Sequence, residues 1–181
     1  LNVLGINQPP WVCYNKKILT YVKEDPELFN QIVESFDEPV KKKFSDFFEF
    51  FFANKPSRTI AFKKMAELIK ALTSHGHVII VGRGGGLITR EMTGGFHIRL
   101  VAPFHWRVNE VSLQHPKLPR EDIEQYVKQT DRDRVNFLND FCIFEDCDPN
   151  FYDLVINTYR FSLDDAVDMI IYAMKKKGIL K

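Results

Sequence analysis

One short segment combines an arginine with several glycines directly after an apolar run. Residues 77–86 read HVIIVGRGGG, so a β-branched stretch ends in the turn Gly82-Arg83-Gly84-Gly85. Glycine lets the backbone approach a ligand closely and adopt positive φ, and the planar guanidinium of arginine binds phosphate or carboxylate through two hydrogen bonds. Arg83 is therefore the first candidate for binding an anionic group, and a tight turn that exposes an arginine is the alternative.

A second group of charged residues lies in the later segment KQTDRDR, which has a helical pattern. Residues three or four apart share a helix face, so Lys128, Asp131 and Arg134 point together, and Arg132 joins Lys128. Two cations that flank one carboxylate form an oriented clamp for an anion, and arginine can stabilise the charge of a transferring phosphoryl group. The alternative is a solvated helix face that is lined with ion pairs.

A glycine-rich turn after a strand also suggests dinucleotide binding, but the spacing does not fit. Leu87 occupies the position of the third glycine in the G-x-G-x-x-G pattern. Only residues 87–93 separate the turn from Gly94 and the next strand-like run. A helical crossover between parallel strands needs about a dozen residues or more, so a Rossmann-type site is disfavoured.

Histidine and cysteine spacings point to no further chemistry. The five histidines form no H-E-x-x-H pattern, so we expect no metal site. The three cysteines are Cys13, Cys142 and Cys147, an odd number without C-x-x-C spacing. This pattern favours reduced thiols in a cytoplasmic protein over a disulfide framework.

Composition limits the number of domains and the kinds of partner. The 181 residues are 45% apolar, which predicts one domain with a sizeable core. The 25 basic and 24 acidic residues leave a formal charge of +1, so no overall field favours nucleic acid or an anionic membrane. Any site for an anion must therefore be local. No apolar run approaches the length of a membrane span.

Helical and strand-like patterns alternate along the chain, which predicts a layered α/β fold. The predicted helices cover 14–29, 40–52, 57–74, 103–114, 120–141 and the segment from 162, and the predicted strands cover 77–81, 96–101 and 152–157. Ser57 and Gly76 are the expected caps of the third helix. Ser162 and Asp165 have the spacing of a capping box for the last one.

The predicted helix over 40–52 is unusually rich in phenylalanine. Four phenylalanines share one face and two fall outside it: Phe44, Phe47, Phe48 and Phe51 against Phe50 and Phe52. This pattern predicts a deeply packed core helix. Because the apolar surface extends beyond one face, a homodimer through this helix is the other possibility.

Four segments in order resemble the cytidylate kinase-like branch of the P-loop nucleoside monophosphate kinases: GRGGG, FHIRLVAPFHWRVNEV, KQTDRDR and YDLVINTYRFSLDDAV. The resemblance covers the chain from about residue 14 onward. It implies a three-layer α/β/α fold of the P-loop kinase type, with a central parallel sheet and a helical lid over about 115–147. Residues 1–181 are then one nucleotide-kinase-like domain that closes its lid over a nucleotide.

The resemblance also implies roles for the glycine turn. In that family a Gly-Arg pair after the strand contacts the acceptor monophosphate, which implies that Arg83 binds substrate together with Gly82, Gly84 and Gly85. Gly84 stands where cytidylate kinases have an aspartate that contacts the substrate. The identity of the acceptor nucleotide therefore stays open.

The lid motif D-x-x-R of the family corresponds to Asp131 and Arg134, which implies phosphate-contacting and arginine-orienting roles for them. Val127 replaces an arginine at the start of that motif, and Lys128 and Arg132 are its possible substitutes. The Asn/Asp-Thr pair of the family's last strand corresponds to Asn157 and Thr158.

The sequence contains no G-x-x-x-x-G-K-[ST] loop, whose amides and lysine cradle donor phosphates and whose hydroxyl holds magnesium. We expect about thirty further residues upstream, with the first strand, the loop and the first helix. ATP and Mg²⁺ are expected as cofactors only with such a segment.

Together, these observations favour a cytidylate kinase-like, ATP-dependent phosphotransferase that acts on a nucleoside monophosphate or a similar small phosphate-bearing acceptor. The alternative is a non-catalytic nucleotide-binding or dimeric interaction protein that retains the kinase fold.

Overall fold

The computed structural model describes residues 11–15, 33–34, 36–53, 57–139 and 148–180. Helices and short strands are mixed along this part of the chain. The strands are β1 Val12–Tyr14, β2 Val78–Ile80, β3 Ile98–Val101 and β4 Leu154–Asn157. The helices are α1 Glu38–Ala53, α2 Arg58–His75, α3 Gly85–Thr89, α4 Phe104–Gln114, α5 Arg120–Asn139 and α6 Leu163–Lys176. The chain divides into two compact units, Leu1–Gly95 and Phe96–Lys181.

In the first unit, β1 and β2 form a parallel pair in which Tyr14 lies opposite Ile80. The prediction that Tyr14 begins a helix was wrong. Tyr14 ends β1, and its carbonyl accepts a hydrogen bond of 2.8 Å from the amide of Val81. Its ring is buried at 6% exposure, so the side chain contributes to the core as strand residues do. The rest of that predicted helix, from residue 16 on, lies outside the described residues.

The phenylalanine-rich segment forms α1, which confirms the helix predicted over 40–52. Asp37 precedes the helix, and its carboxylate accepts a hydrogen bond of 3.2 Å from the amide of Val40. Phe44, Phe47 and Phe48 are at most 3% exposed and form the centre of the first unit's core. The prediction of a deeply packed core helix is confirmed for these three residues, whereas Phe50 is half-buried.

The caps predicted for α2 are confirmed. The hydroxyl of Ser57 accepts a hydrogen bond from the amide of Ile60, and Gly76 ends the helix at a φ of 87°. Leu68 and Leu72 from this helix pack into the same core as α1. A cap of this kind typically contributes about 1 kcal/mol.

In the second unit, β3 and β4 form another parallel pair, and their predicted segments are confirmed with slightly shorter ends. Helix α4 begins after Pro103, as predicted. It packs against α5 through Val108, Ile123 and Val127, which are at most 5% exposed. An arginine at position 127 would have to bury its charge in this contact, which costs far more than burying valine.

The last helix begins as the sequence predicts. Ser162 and Asp165 form a capping box, in which the serine hydroxyl accepts from the amide of Asp165 and the aspartate side chain accepts from that of Ser162. The basic residues Lys175 and Lys176 lie in the last turn, where they complement the helix dipole.

Parallel strands are thus a feature of both units. The single three-layer domain and the lid over 115–147 stay predictions, and residues 140–147 lie outside the described part of the chain. Among the helices of the described residues, none has the length and apolarity that crossing a membrane requires.

Candidate functional site

The glycine-rich turn adopts an unusual backbone. Gly82, Arg83 and Gly84 all have positive φ angles, of 74°, 57° and 67°. Glycine reaches this left-handed region at no cost, but a residue with a Cβ atom pays roughly 1–2 kcal/mol there. The sequence predicted the turn, and the structure adds that Arg83 itself carries the strain.

Gly85 fixes this turn against strand β2. Its amide donates a hydrogen bond of 2.9 Å to the carbonyl of Gly82. A Cβ atom added at Gly85 would lie 2.7 Å from Cγ2 of Ile80, which is shorter than real contacts allow. The hydroxyl of the buried Thr89 donates to the Gly85 carbonyl over 2.8 Å. The turn therefore depends on glycine at this position and on its contact with the strand.

The Arg83 side chain is half-buried. Within the part of the chain that the structure describes, no residue forms a hydrogen bond or an ion pair with its guanidinium. The backbone thus positions this arginine, and its five donors are not used by the described residues.

The second cluster surrounds Asp131 on α5. Nη1 of Arg107, from α4, lies 2.8 Å from Oδ1 of Asp131, and Nη2 of Arg134 lies 3.7 Å from the same oxygen. Nε of Arg107 also donates over 3.2 Å to the carbonyl of Ala102, the residue that follows β3. Two cations do flank this carboxylate, and one of them comes from a different helix.

The other two predicted residues of this helix have different neighbours. Nζ of Lys128 lies 5.5 Å from the centre of the Phe104 ring, in a cation–π contact. Arg132 is exposed, and its Nη2 donates over 3.0 Å to Oε1 of Gln129. Asp131 and Arg134 are therefore brought together as predicted, whereas the close partner of Asp131 is Arg107.

Sequence reasoning did not single out Arg107, although the sequence held a signal for it. This arginine lies near the start of α4, the helix that follows strand β3, and ligands of parallel α/β sheets bind beside the carboxyl ends of the strands. A pattern based on spacing within one helix cannot show a partner that comes from another helix.

The carboxyl end of β4 carries Asn157 and Thr158. The Thr158 amide donates to the carbonyl of Val101 over 2.9 Å, and the Asn157 side chain accepts from the amide of Tyr159 over 3.1 Å. Both residues support the turn after β4. The Tyr159 ring lies 5.9 Å from that of His105, at the start of α4.

The amino end of the same strand pair is joined by a separate network around Asp153. Its carboxylate accepts from the His97 amide over 2.7 Å and from Nζ of Lys177 over 2.6 Å. Burial alone would raise the pKa of Asp153, but the hydrogen bonds and charges of Lys177 and His97 outweigh it, so the pKa is lowered. This network joins β3, β4 and the end of α6, so its role is structural.

A site for ATP with Mg²⁺ needs a loop that cradles the donor phosphates and groups that hold the metal ion. The described residues include no group of three or more His, Cys, Asp or Glu side chains that could hold a metal ion. The 181-residue sequence contains no G-x-x-x-x-G-K-[ST] loop. The residues described here therefore do not fit a cradle for the phosphates of ATP with Mg²⁺.

Short parallel strand pairs, an arginine turn at the end of one strand and a charged helix together define an α/β protein with two candidate anion-binding groups. Residues 11–160 match the cytidylate kinase-like family, and the chain belongs to this family.

Two individual proteins are also similar. A uronate isomerase of Corynebacterium glutamicum is 27% identical over 111 residues, which are 61% of this chain and 21% of that protein. This chain thus spans about a fifth of the length of that relative. The crystal structure of an uncharacterized protein from Eubacterium ventriosum aligns with a TM-score of 0.64 over 92% of this chain and 84% of that chain. At 22% identity, this second match shows a likeness of fold alone.

Proposed function

We propose that the protein is a cytidylate kinase-like phosphotransferase that acts on a nucleoside monophosphate or a similar small phosphate-bearing acceptor. The observation that carries the proposal is Arg83, held at a φ of 57° by the glycine turn after β2. Backbone strain concentrates at sites where function requires a particular side-chain position. An arginine in that position presents a planar fork that matches the oxygens of a phosphate.

The residues of α5 supply the second part of the proposal. In it, Arg134 neutralises phosphate charge, Asp131 orients the arginine, and the exposed Lys128 and Arg132 add positive charge. The three-layer kinase fold and the helical lid belong to this proposal as well. Phosphoryl transfer needs little covalent chemistry from the protein, so positioning and charge neutralisation are the functions expected of these side chains.

ATP and Mg²⁺ enter the proposal only with a phosphate-binding loop, which the 181 residues do not contain. We expect this chain by itself not to transfer phosphate from ATP, because donor phosphates would lack their cradle of amides. Isomerase activity is not proposed. The match to uronate isomerase covers 21% of that protein, whereas the kinase-like family match extends over residues 11–160.

A second candidate is a non-catalytic nucleotide-binding or dimeric interaction protein with the same fold. The sequence observation that favours it is glycine at position 84, where the family resemblance implies an aspartate that contacts the substrate. The enzyme and a nucleotide-binding form of the second candidate both require nucleotide binding, whereas a dimeric interaction protein does not. Phosphate transfer by a chain extended upstream would favour the enzyme, and nucleotide binding without transfer would favour the second candidate.

The decisive experiment measures binding of CMP, UMP, AMP and GMP by isothermal titration calorimetry. We expect Arg83→Ala to lower the affinity for the preferred monophosphate by at least about tenfold, because a charge-assisted pair to phosphate is lost. Arg90→Ala is the matched control, since Arg90 is a nearby exposed arginine with its own partner, Glu91, at 2.7 Å. Equal affinity of the Arg83→Ala variant and the unmodified chain would refute the role of Arg83.

The proposed homodimer through residues 40–52 needs its own test. Phe50 is half-buried, so part of this ring remains at the surface of α1. Exchanging Phe50 and Phe52 for lysine should convert a dimer to a folded monomer, as measured by light scattering. Glu49→Lys, which changes the charge at a neighbouring exposed position, should leave the dimer intact. A monomeric unmodified protein at high concentration would reject the dimer.

A further inference from the structure

We propose that Arg107 is a positioning residue: it fixes the carboxylate of Asp131 and thereby sets the orientation of Arg134 on α5. This role rests on the proposed phosphate-binding function of α5. Arg107 itself is not expected to contact the phosphate, and its effect passes through Asp131.

Arg107 is held from both sides of its guanidinium. Nε donates to the Ala102 carbonyl over 3.2 Å, and Nη1 donates to Oδ1 of Asp131 over 2.8 Å. Its Cζ atom also lies 5.9 Å from the centre of the Phe104 ring. Because Ala102 directly follows β3, this one side chain links the end of the strand to the middle of α5. A lysine could not make both hydrogen bonds, since its ammonium is a point charge without the rigid fork.

Asp131 transmits this link to Arg134. Both arginines approach the same carboxylate oxygen, Oδ1, at 2.8 Å from Arg107 and 3.7 Å from Arg134. Because Arg107 fixes the orientation of the carboxylate, it also determines the position that the Arg134 guanidinium takes beside Oδ1. The Arg107 and Asp131 side chains are 34% and 32% exposed, so solvent screens their attraction less than that of a fully exposed pair.

Another arginine connects the same two helices and provides a comparison. Arg120 of α5 donates to Oδ1 of Asn109 in α4 over 3.0 Å and pairs with Glu124 at 3.4 Å. Its side chain is 58% exposed, and its contacts do not involve Asp131. If Arg107 only fastened α4 to α5, removing either arginine would have the same kind of effect. A positioning role predicts an effect on ligand binding for Arg107 alone.

The first measurement is a double-mutant cycle with the affinity for CMP as its readout. We expect Arg107→Gln and Asp131→Asn each to weaken CMP binding about tenfold. The double variant should have about the same affinity for CMP as the single variant that binds CMP less tightly. Arg120→Gln should bind CMP like the unmodified chain. Losses that add up in the double variant, or unchanged affinity in Arg107→Gln, would overturn the proposal.

The second measurement needs no ligand and separates this proposal from the proposed function. Backbone hydrogen exchange around Asp131 should be faster in Arg107→Gln than in Arg120→Gln, because only the first loses the link to β3. Equal exchange in these two variants would overturn the positioning role. If the unmodified chain binds none of the monophosphates, the proposed function fails, and exchange still decides whether Arg107 fixes α5.

Should Arg107→Gln not fold, Arg107→Lys takes its place in both measurements. It keeps the charge but cannot donate to Ala102 and Asp131 together, so we expect an intermediate loss of CMP affinity. Full affinity in the lysine variant would show that charge alone suffices and would overturn the proposed role of the guanidinium fork.

Discussion

The two candidate anion-binding groups are positioned by different means. Arg83 is held by its own backbone, in a left-handed conformation between glycines, and no described residue pairs with its guanidinium. Asp131 and Arg134 lie in a regular helix, and their positions depend on a side chain from another helix, Arg107. The first arrangement is set by the local chain, whereas the Arg107–Asp131 pair of the second forms only when α4 and α5 pack together.

This difference determines how each group can respond to a ligand. The Arg83 turn is strained before any ligand arrives, so a ligand meets an arginine that is already in place. The contacts around Asp131 are ion pairs between side chains of regular helices, so they can form or break without a change in backbone conformation. Variants of the turn should therefore change stability strongly, and variants of the side-chain networks more weakly.

The largest loss of stability is expected from Gly85→Ala. The new Cβ atom would lie 2.7 Å from Cγ2 of Ile80, so β2 or the turn has to shift, at a cost of about 1–3 kcal/mol in the free energy of unfolding. Chemical denaturation measures this change. Gly94→Ala is the control, because Gly94 also lies near a strand but has open space around it. Its strain at a φ of 81° should cost about 1–2 kcal/mol without a clash. A Gly85→Ala variant as stable as the unmodified chain would contradict the close contact.

Sequence patterns predicted the elements whose causes are local. The caps Ser57 and Gly76 and the capping box of Ser162 are set by residues three or four positions apart, and all are confirmed. The buried face of α1 followed from the spacing of Phe44 and its neighbours. Each of these features depends on a short stretch of chain.

The features that sequence reasoning missed depend on distant partners. Tyr14 belongs to a strand because β2, more than sixty positions along the chain, provides its hydrogen bonds. Arg107 and Asp131 are 24 positions apart, and Asp153 and Lys177 are also 24 apart. The positive φ of Arg83 was not predicted either, since a glycine turn usually leaves such angles to its glycines.

A smaller change in stability, in the opposite direction, is expected when the backbone strain at Arg83 is removed. Arg83→Gly should raise the free energy of unfolding by about 1 kcal/mol, because glycine adopts a φ of 57° without the clash of a Cβ atom. The same variant should lose monophosphate affinity. Arg83→Ala is the control, since it removes the guanidinium but keeps the strain. Equal stability of the glycine and alanine variants, measured by chemical denaturation, would show that the turn is relaxed.

The smallest effect is expected from Asp153→Asn, and its pH dependence sharpens the comparison. The pKa of Asp153 is lowered in the folded protein, because Lys177 and His97 outweigh the effect of burial. The carboxylate therefore stabilises the fold at pH values above its unfolded pKa, about 4, and this contribution is lost as the pH falls through the lower folded value.

We expect Asp153→Asn to cost about 0.5–1 kcal/mol at pH 7 and less at pH 3, as measured by denaturation at both pH values. The gain from Arg83→Gly should be the same at both pH values, because its origin is backbone strain, which no proton relieves. A loss of stability in Asp153→Asn that does not change with pH would mean that the variant is destabilised by altered packing and not by the lost charge. The contrast between a region held by its backbone and one held by charged side chains would then not extend to the amino end of β3 and β4.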